Sequence, residues 1–242
     1  MPFTRTTGIW PRWHAGFARL AAGLPSQCAV CHAWPARRIC DDCRARFAPA
    51  QPRCATCARL VPEGVARCGD CTTHPPPLDA CCAALDYGYP WASTLAQFKF
   101  QADPGWAGTL AQFMRQAPGA DALLAQADWV LPVPLSPERL RTRGYNQALL
   151  LARALAPQRV HARLLLRTRD AQAQSHLTRA QRLRNLRGAF VLEPLLAPQV
   201  AGRRVVLVDD VMTTGATLHA TAAPLREAGA IHVAALVLAR TP

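Results

Sequence analysis

Short, continuously apolar runs alternate with amphipathic segments over the last two thirds of the chain. "RRVVLVDD" (Arg203 to Asp210) and "IHVAALVLAR" (Ile231 to Arg240) are apolar without alternation, which predicts strands buried on both faces. "CCAALDYGY" (Cys81 to Tyr89), "DWVLPVPL" (Asp128 to Leu135) and "RLLLRTRD" (Arg163 to Asp170) predict three more. Between them, "WASTLAQFKF" (Trp91 to Phe100), "PGWAGTLAQFMRQA" (Pro104 to Ala117), "YNQALLLARALA" (Tyr145 to Ala156) and the stretch Thr213 to Ala228 space their apolar residues as helices do. Alternating strands and helices predict an α/β domain: a parallel sheet with helices on its faces.

The first third reads differently. Trp10, Trp13, Phe17, Leu20 and Leu24 fall at helical spacing and predict a helix within residues 1–27. Residues 28–73 lack long apolar periodicity and are rich in Cys, Pro and Arg, so something other than an apolar core must hold them. The prolines of "HPPPLDA" (His74 to Ala80) stiffen the backbone and predict a linker at 74–80, with the α/β domain over 81–242.

Composition narrows the class. Half of the 242 residues are apolar and 18% are charged, as in a globular chain. The net charge of +13 comes almost wholly from arginine, Lys99 being the single lysine. Twelve arginines face one acid, Asp170, between Arg139 and Arg187, so a basic surface suited to a polyanion is expected. Arg12, His14 and Arg19 interrupt the apolar N-terminal stretch, and no run approaches a membrane span; a reducing, cytoplasmic setting without membrane insertion is expected.

That setting decides the reading of the cysteines. Cys28/Cys31, Cys40/Cys43, Cys54/Cys57 and Cys68/Cys71 are four pairs with two residues inside each. Such a turn aims two thiolates at one point, and two turns complete a tetrahedral Zn²⁺ site, so eight cysteines predict two structural zinc ions. Structural zinc contributes about 10–16 kcal/mol of apparent binding energy, enough to replace a core in so short a module. Sequential and interleaved pairing both satisfy the spacing. Cys81 and Cys82 stand outside the pattern, on a predicted strand, and read as core residues.

The segment "VVLVDDVMTTGATL" (Val205 to Leu218) carries the candidate chemistry. Its strand delivers Asp209 and Asp210 to the carboxyl edge of the sheet, where open α/β folds bind ligands. Met212, Thr213, Thr214, Gly215, Ala216 and Thr217 then turn into a helix. Its first N–H groups are unpaired, its threonines add hydroxyl donors, and Gly215 lets the backbone approach an anion. The arrangement suits a phosphate on the helix end with two carboxylates beside it for sugar hydroxyls.

This segment resembles the ribose 5-phosphate site of type I phosphoribosyltransferases. Two further blocks resemble the ComF family: Pro-x-Pro with Arg143, Gly144, Tyr145, Asn146 and Gln147, and the segment holding Gln174, Leu177, Arg182 and Asn185. With the Lys99 segment and a double zinc ribbon ahead of them, the resemblance runs from Cys28 to the C-terminus.

It implies a type I phosphoribosyltransferase-like parallel sheet behind a double zinc ribbon, binding phosphoribosyl pyrophosphate with Mg²⁺. Asp209 and Asp210 would take the 2′ and 3′ hydroxyls and residues 212–217 the 5′-phosphate. Read from the residues, the guanidinium forks of Arg139, Arg141 and Arg143 suit phosphate or pyrophosphate oxygens, and Lys99 reads equally as a pyrophosphate contact or a solvated surface lysine. Tyr145, Asn146 and Gln147 are candidates for base contacts. The resemblance names no acceptor. It also implies a role in DNA uptake during natural competence, through turnover, through binding of single-stranded DNA, or by sensing phosphoribosyl pyrophosphate while the zinc module docks a partner such as a helicase.

Overall fold

The computed structural model describes residues 26–101, 103–168, 186 and 188–242. The helix expected near the N-terminus lies outside them, as do Gln174, Leu177, Arg182 and Asn185. Contacts divide the chain after Arg44 into two compact units.

In the first unit, Ser26 and Ala36 pair as an antiparallel bridge and close a loop around Cys28 and Cys31. Helix α1 (Asp41–Phe47) begins just after Cys40 and carries Cys43. A second bridge, Arg53 with Leu60, closes the equivalent loop around Cys54 and Cys57, and the short helix α2 (Gly69–Thr73) carries Cys71. This second half lies in the second unit. Cys54, Cys57 and Cys71 are buried in the same apolar core as the sheet.

The main sheet has four parallel strands: β1 (Ala80–Asp86), β2 (Trp129–Pro132), β5 (Arg204–Met212) and β6 (His232–Arg240), in the order β1-β6-β5-β2. The unbroken apolar runs have the predicted consequence: after His232 every residue of β6 is buried. Helix α3 (Trp91–Phe100) buries Trp91, Thr94, Leu95 and Phe98, the i, i+3, i+4, i+7 stripe that holds one face inward. Burial of Phe98 alone contributes about 1.5–3 kcal/mol and fixes the end of that helix. Helices α4 (Trp106–Gln116) and α5 (Ala120–Gln126) complete the crossover to β2. Helix α8 (Ala216–Glu227) joins β5 to β6.

Two features differ from the sequence-based expectation. Among the described residues, "RLLLRTRD" supplies β3 (Leu165–Arg167), which pairs antiparallel with β4 (Phe190–Leu192) in a separate ribbon rather than entering the parallel sheet. Leu166 and Val191 stay exposed, so the run is too short and too wet to fill a strand position buried on both faces. The stretch after β2 also forms an unexpected helix, α6 (Pro137–Arg143). Ser136 caps it by accepting from the Arg139 N–H at 3.3 Å, Pro137 pre-sets the first turn, and Gly144 ends it at φ +76°.

Candidate functional site

β5 runs two residues past the acid pair, and cross-strand register sets Asp209 beside Val237 and Met212 beside Arg240. Asp210 is buried, and Lys99 at the end of α3 reaches it: Nζ to Oδ1 is 3.0 Å, with the two side chains 16% and 12% exposed. The single lysine is therefore held against the acid pair and is not a solvated surface group. Asp209 accepts from the backbone N–H of Asp210 at 2.8 Å. Burial, with the Asp210 carboxylate alongside, pushes the Asp209 carboxyl up to about 7, against the opposing pull of Lys99 and Arg143.

Arg143 is the second cation. Burial lowers its guanidinium from the ordinary value, while Asp210 and Asp209 favour its charge. It donates to Gln147 Oε1 at 3.2 Å and lies over the Phe100 ring, 5.1 Å from the centroid. Phe100, 67% exposed beside Lys99, was not singled out from sequence. The helical stripe marks it only as the one apolar residue of α3's last turn that faces away from the core.

The block around Gly144 is largely committed to the fold. The Tyr145 hydroxyl donates to the Phe98 carbonyl, tying this segment to the helix that carries Lys99. Asn146 caps α7 (Gln147–Leu155), its Oδ1 accepting from the Leu149 N–H at 3.3 Å and its Nδ2 donating to the Val133 carbonyl at 3.0 Å. Gln147 is 1% exposed, and its Nε2 has no hydrogen-bond partner among the described residues. Tyr145 and Asn146 thus spend these polar groups on backbone partners of the scaffold.

The loop Thr213 to Gly215 leads into α8, with Gly215 at φ +81° just ahead of its first residue. Ala216 N–H approaches Thr214 Oγ1 at 3.4 Å. A cavity of about 240 Å³ is lined by Thr213 and Thr214 and also by Cys57, Arg59 and Cys71. Arg240, also on this cavity, is buried at the carboxyl end of β6. It was not singled out from sequence, although, like the acid pair, it is a charge at the end of an unbroken apolar run.

The eight cysteines form two groups of four, Cys28/Cys31/Cys40/Cys43 and Cys54/Cys57/Cys68/Cys71, each with its sulfurs within 4.8 Å of one another. Pairing is therefore sequential. Cys31 Sγ to Cys40 Sγ is 3.6 Å and Cys57 Sγ to Cys68 Sγ is 3.7 Å. A tetrahedral zinc with Zn–S of about 2.3 Å sets its sulfurs about 3.8 Å apart, so both groups fit the ion. Burial would raise the Cys28 and Cys54 thiols, yet hydrogen bonds outweigh it and bring each down to about 6; the donors include the N–H groups of Cys40 and Cys68. Cys81 is buried on β1 and Cys82 is partly buried, both outside the clusters. Among the described residues no helix is long and apolar enough to cross a membrane.

Comparison with known proteins agrees with this geometry. Residues 147–242 match the phosphoribosyl transferase domain family, and residues 20–72 match the double zinc ribbon domain family. The chain is 32% identical over 214 residues to the DNA utilization protein YhgH of Escherichia coli O6:H1, covering 84% of this chain and 90% of that protein. It is 32% identical over 210 residues to competence protein F of Haemophilus influenzae, with the same coverage. Competence protein ComFC of Streptococcus pneumoniae matches at 34% over 108 residues, 45% of this chain and 46% of that one.

Proposed function

This chain belongs to the ComF family, and from that premise we propose that it binds phosphoribosyl pyrophosphate with Mg²⁺ at the end of β5. One observation carries the reading. Two adjacent carboxylates, Asp209 and Asp210, lie near the end of β5 within reach of two cations, Lys99 and Arg143, and the strand runs on through Met212 into the loop ahead of a Gly215-led helix. A sugar bearing a phosphate at one end and a pyrophosphate at the other needs acceptors in the middle and donors at both ends.

In this reading Asp209 and Asp210 accept from the ribose hydroxyls. The amide groups and hydroxyls of residues 213–217 surround the 5′-phosphate, where the helix N-terminus adds partial positive charge. Asp210 exchanges Lys99 for the sugar hydroxyls, and Lys99, freed of its partner, turns with Arg143 to the pyrophosphate. The carboxylates are hard oxygen donors that fit Mg²⁺, either directly or through the hydroxyls they hold. When bound, that ion neutralises charge on the pyrophosphate leaving group. This arrangement supports reading the chain as a phosphoribosyltransferase.

Titration calorimetry with Mg²⁺ present tests the binding, beside an Asp209→Ala, Asp210→Ala variant whose folding is checked by its melt. Binding by the native chain that the variant loses is the expected result; no binding by the native chain sinks the reading.

The names of the relatives favour a second reading, that the chain handles single-stranded DNA through its arginine-rich segment. Affinity for an oligonucleotide should then fall with salt, log K against log salt having a slope of about −0.7 for each phosphate contacted. Binding that is absent or indifferent to salt would remove it.

A further inference from the structure

Arg240 is 3% exposed, although water is the better solvent for a guanidinium. Its Nε donates to the Cys57 carbonyl at 3.0 Å, and its Nη1 donates to the Met212 carbonyl at 3.3 Å and to Thr241 Oγ1 at 3.1 Å. Cys57 belongs to the second cysteine cluster, and Met212 is the residue at which β5 gives way to the Thr213–Gly215 loop. One planar fork therefore joins a metal turn to the root of that loop.

Other contacts run between the same two places. The Cys81 N–H donates to the Ala55 carbonyl at 2.7 Å, and Cys81 Sγ lies 3.7 Å from Met212 Sδ. Met212 in turn packs under the loop: its Cε sits 2.6 Å from where a Cβ on residue 215 would stand. Charge points the same way. Four thiolates around one divalent ion leave two negative charges, and three of the four cysteines here are buried, so a cation set against one of their turns is favoured by the loaded cluster.

We infer that Arg240 is a positioning residue that makes the geometry of residues 212–217 depend on metal in the second cysteine cluster. Loss of that metal frees the Cys57 turn, releases the fork and loosens the loop. By linkage, a ligand seated in the loop slows metal loss. The ligand half of this inference rests on the pentose-phosphate reading above; the coupling of metal to loop does not.

The test is amide hydrogen exchange on the full zinc-loaded chain, in native form and as Arg240→Met and Arg240→Lys, followed by peptides covering 28–43, 54–71 and 212–217. A chelator series on the native chain runs beside it. Arg240→Met should speed exchange at 54–58 and 212–217 at least tenfold while β1 and β5 up to Asp209 keep their protection. Arg240→Lys should not restore the loop, because one ammonium cannot hold carbonyls on two segments. In the native chain, 212–217 should open in step with peptide 54–71 as metal leaves. Unchanged exchange at 212–217 in Arg240→Met and throughout metal loss would overturn the inference. Should Arg240→Met fail to fold, Arg240→Lys and the chelator series decide by the same criterion. Calorimetry on the same samples separates the two readings: a native chain that does not bind phosphoribosyl pyrophosphate removes the ligand reading, while the exchange result still judges the coupling.

Discussion

Lys99 Nζ lies 3.0 Å from Asp210 Oδ1, joining the end of the first crossover helix to the acid pair near the end of β5. The pair is mostly shielded from water, so neither charge is easily compensated by solvent. Lys99→Met leaves Asp210 beside Asp209 with one cation fewer. The expected cost is about 1–3 kcal/mol, between that of breaking an exposed and a fully buried pair. Chemical denaturation at pH 8 measures it, and Asp210→Asn in the same background should recover part of the loss. Additive effects in that double-mutant cycle would mean that the two groups do not interact in solution.

Asp209 predicts a pH dependence with a definite sign. Its carboxyl titrates near 3.8 in the unfolded chain and near 7 in the fold, so between these values the native state holds the proton more often. Stability from this group therefore falls as pH rises from about 4 to about 7, and is level above that. Asp209→Asn removes the slope. At pH 8 the variant should melt about 2–4 °C above the native chain, the shift that 1 kcal/mol brings in a domain of this size. Melting temperatures that run parallel from pH 5 to pH 8 would contradict the raised value.

Gly215→Ala tests the loop. The clash with Met212 Cε can be relieved by swinging the thioether end aside, but φ of +81° remains and costs an L-residue about 1–2 kcal/mol. The loop then either keeps its shape at that cost or shifts its amide groups. A loss of stability of this size, or a tenfold loss of phosphoribosyl pyrophosphate affinity at unchanged stability, is expected. Neither change would show that the left-handed conformation is not required.

Asn146 is expected to act through structure. Asn146→Ala removes the cap on the Leu149 N–H and the bond to the Val133 carbonyl, and should cost about 1–2 kcal/mol by denaturation. Asn146→Ser restores the cap alone and should recover roughly the capping share of that loss. A serine variant no more stable than the alanine variant would place the whole effect in the Val133 bond.

The sequence by itself determined the α/β character, the positions of the four parallel strands and the main helices, the four Cys-x-x-Cys turns and the acid pair near a strand end. Each is written in local order: unbroken apolar runs, 3.6-residue stripes, Cys-x-x-Cys turns. Helix α6 carries a local start signal in Ser136, Pro137 and Glu138, but it lacks the apolar stripe by which the other helices are read. Only the tertiary structure decided which cysteines share a cluster, that Cys54, Cys57 and Cys71 pack into the sheet's core, and that Tyr145 and Asn146 serve the scaffold. The same holds for the meeting of Lys99 with Asp210, and of Arg240 with Cys57 and Met212. The physical reason is range. Backbone periodicity is fixed by neighbours a few residues away, whereas the partner of a buried charge is chosen by strand order and helix packing, which bring together residues that no local pattern relates.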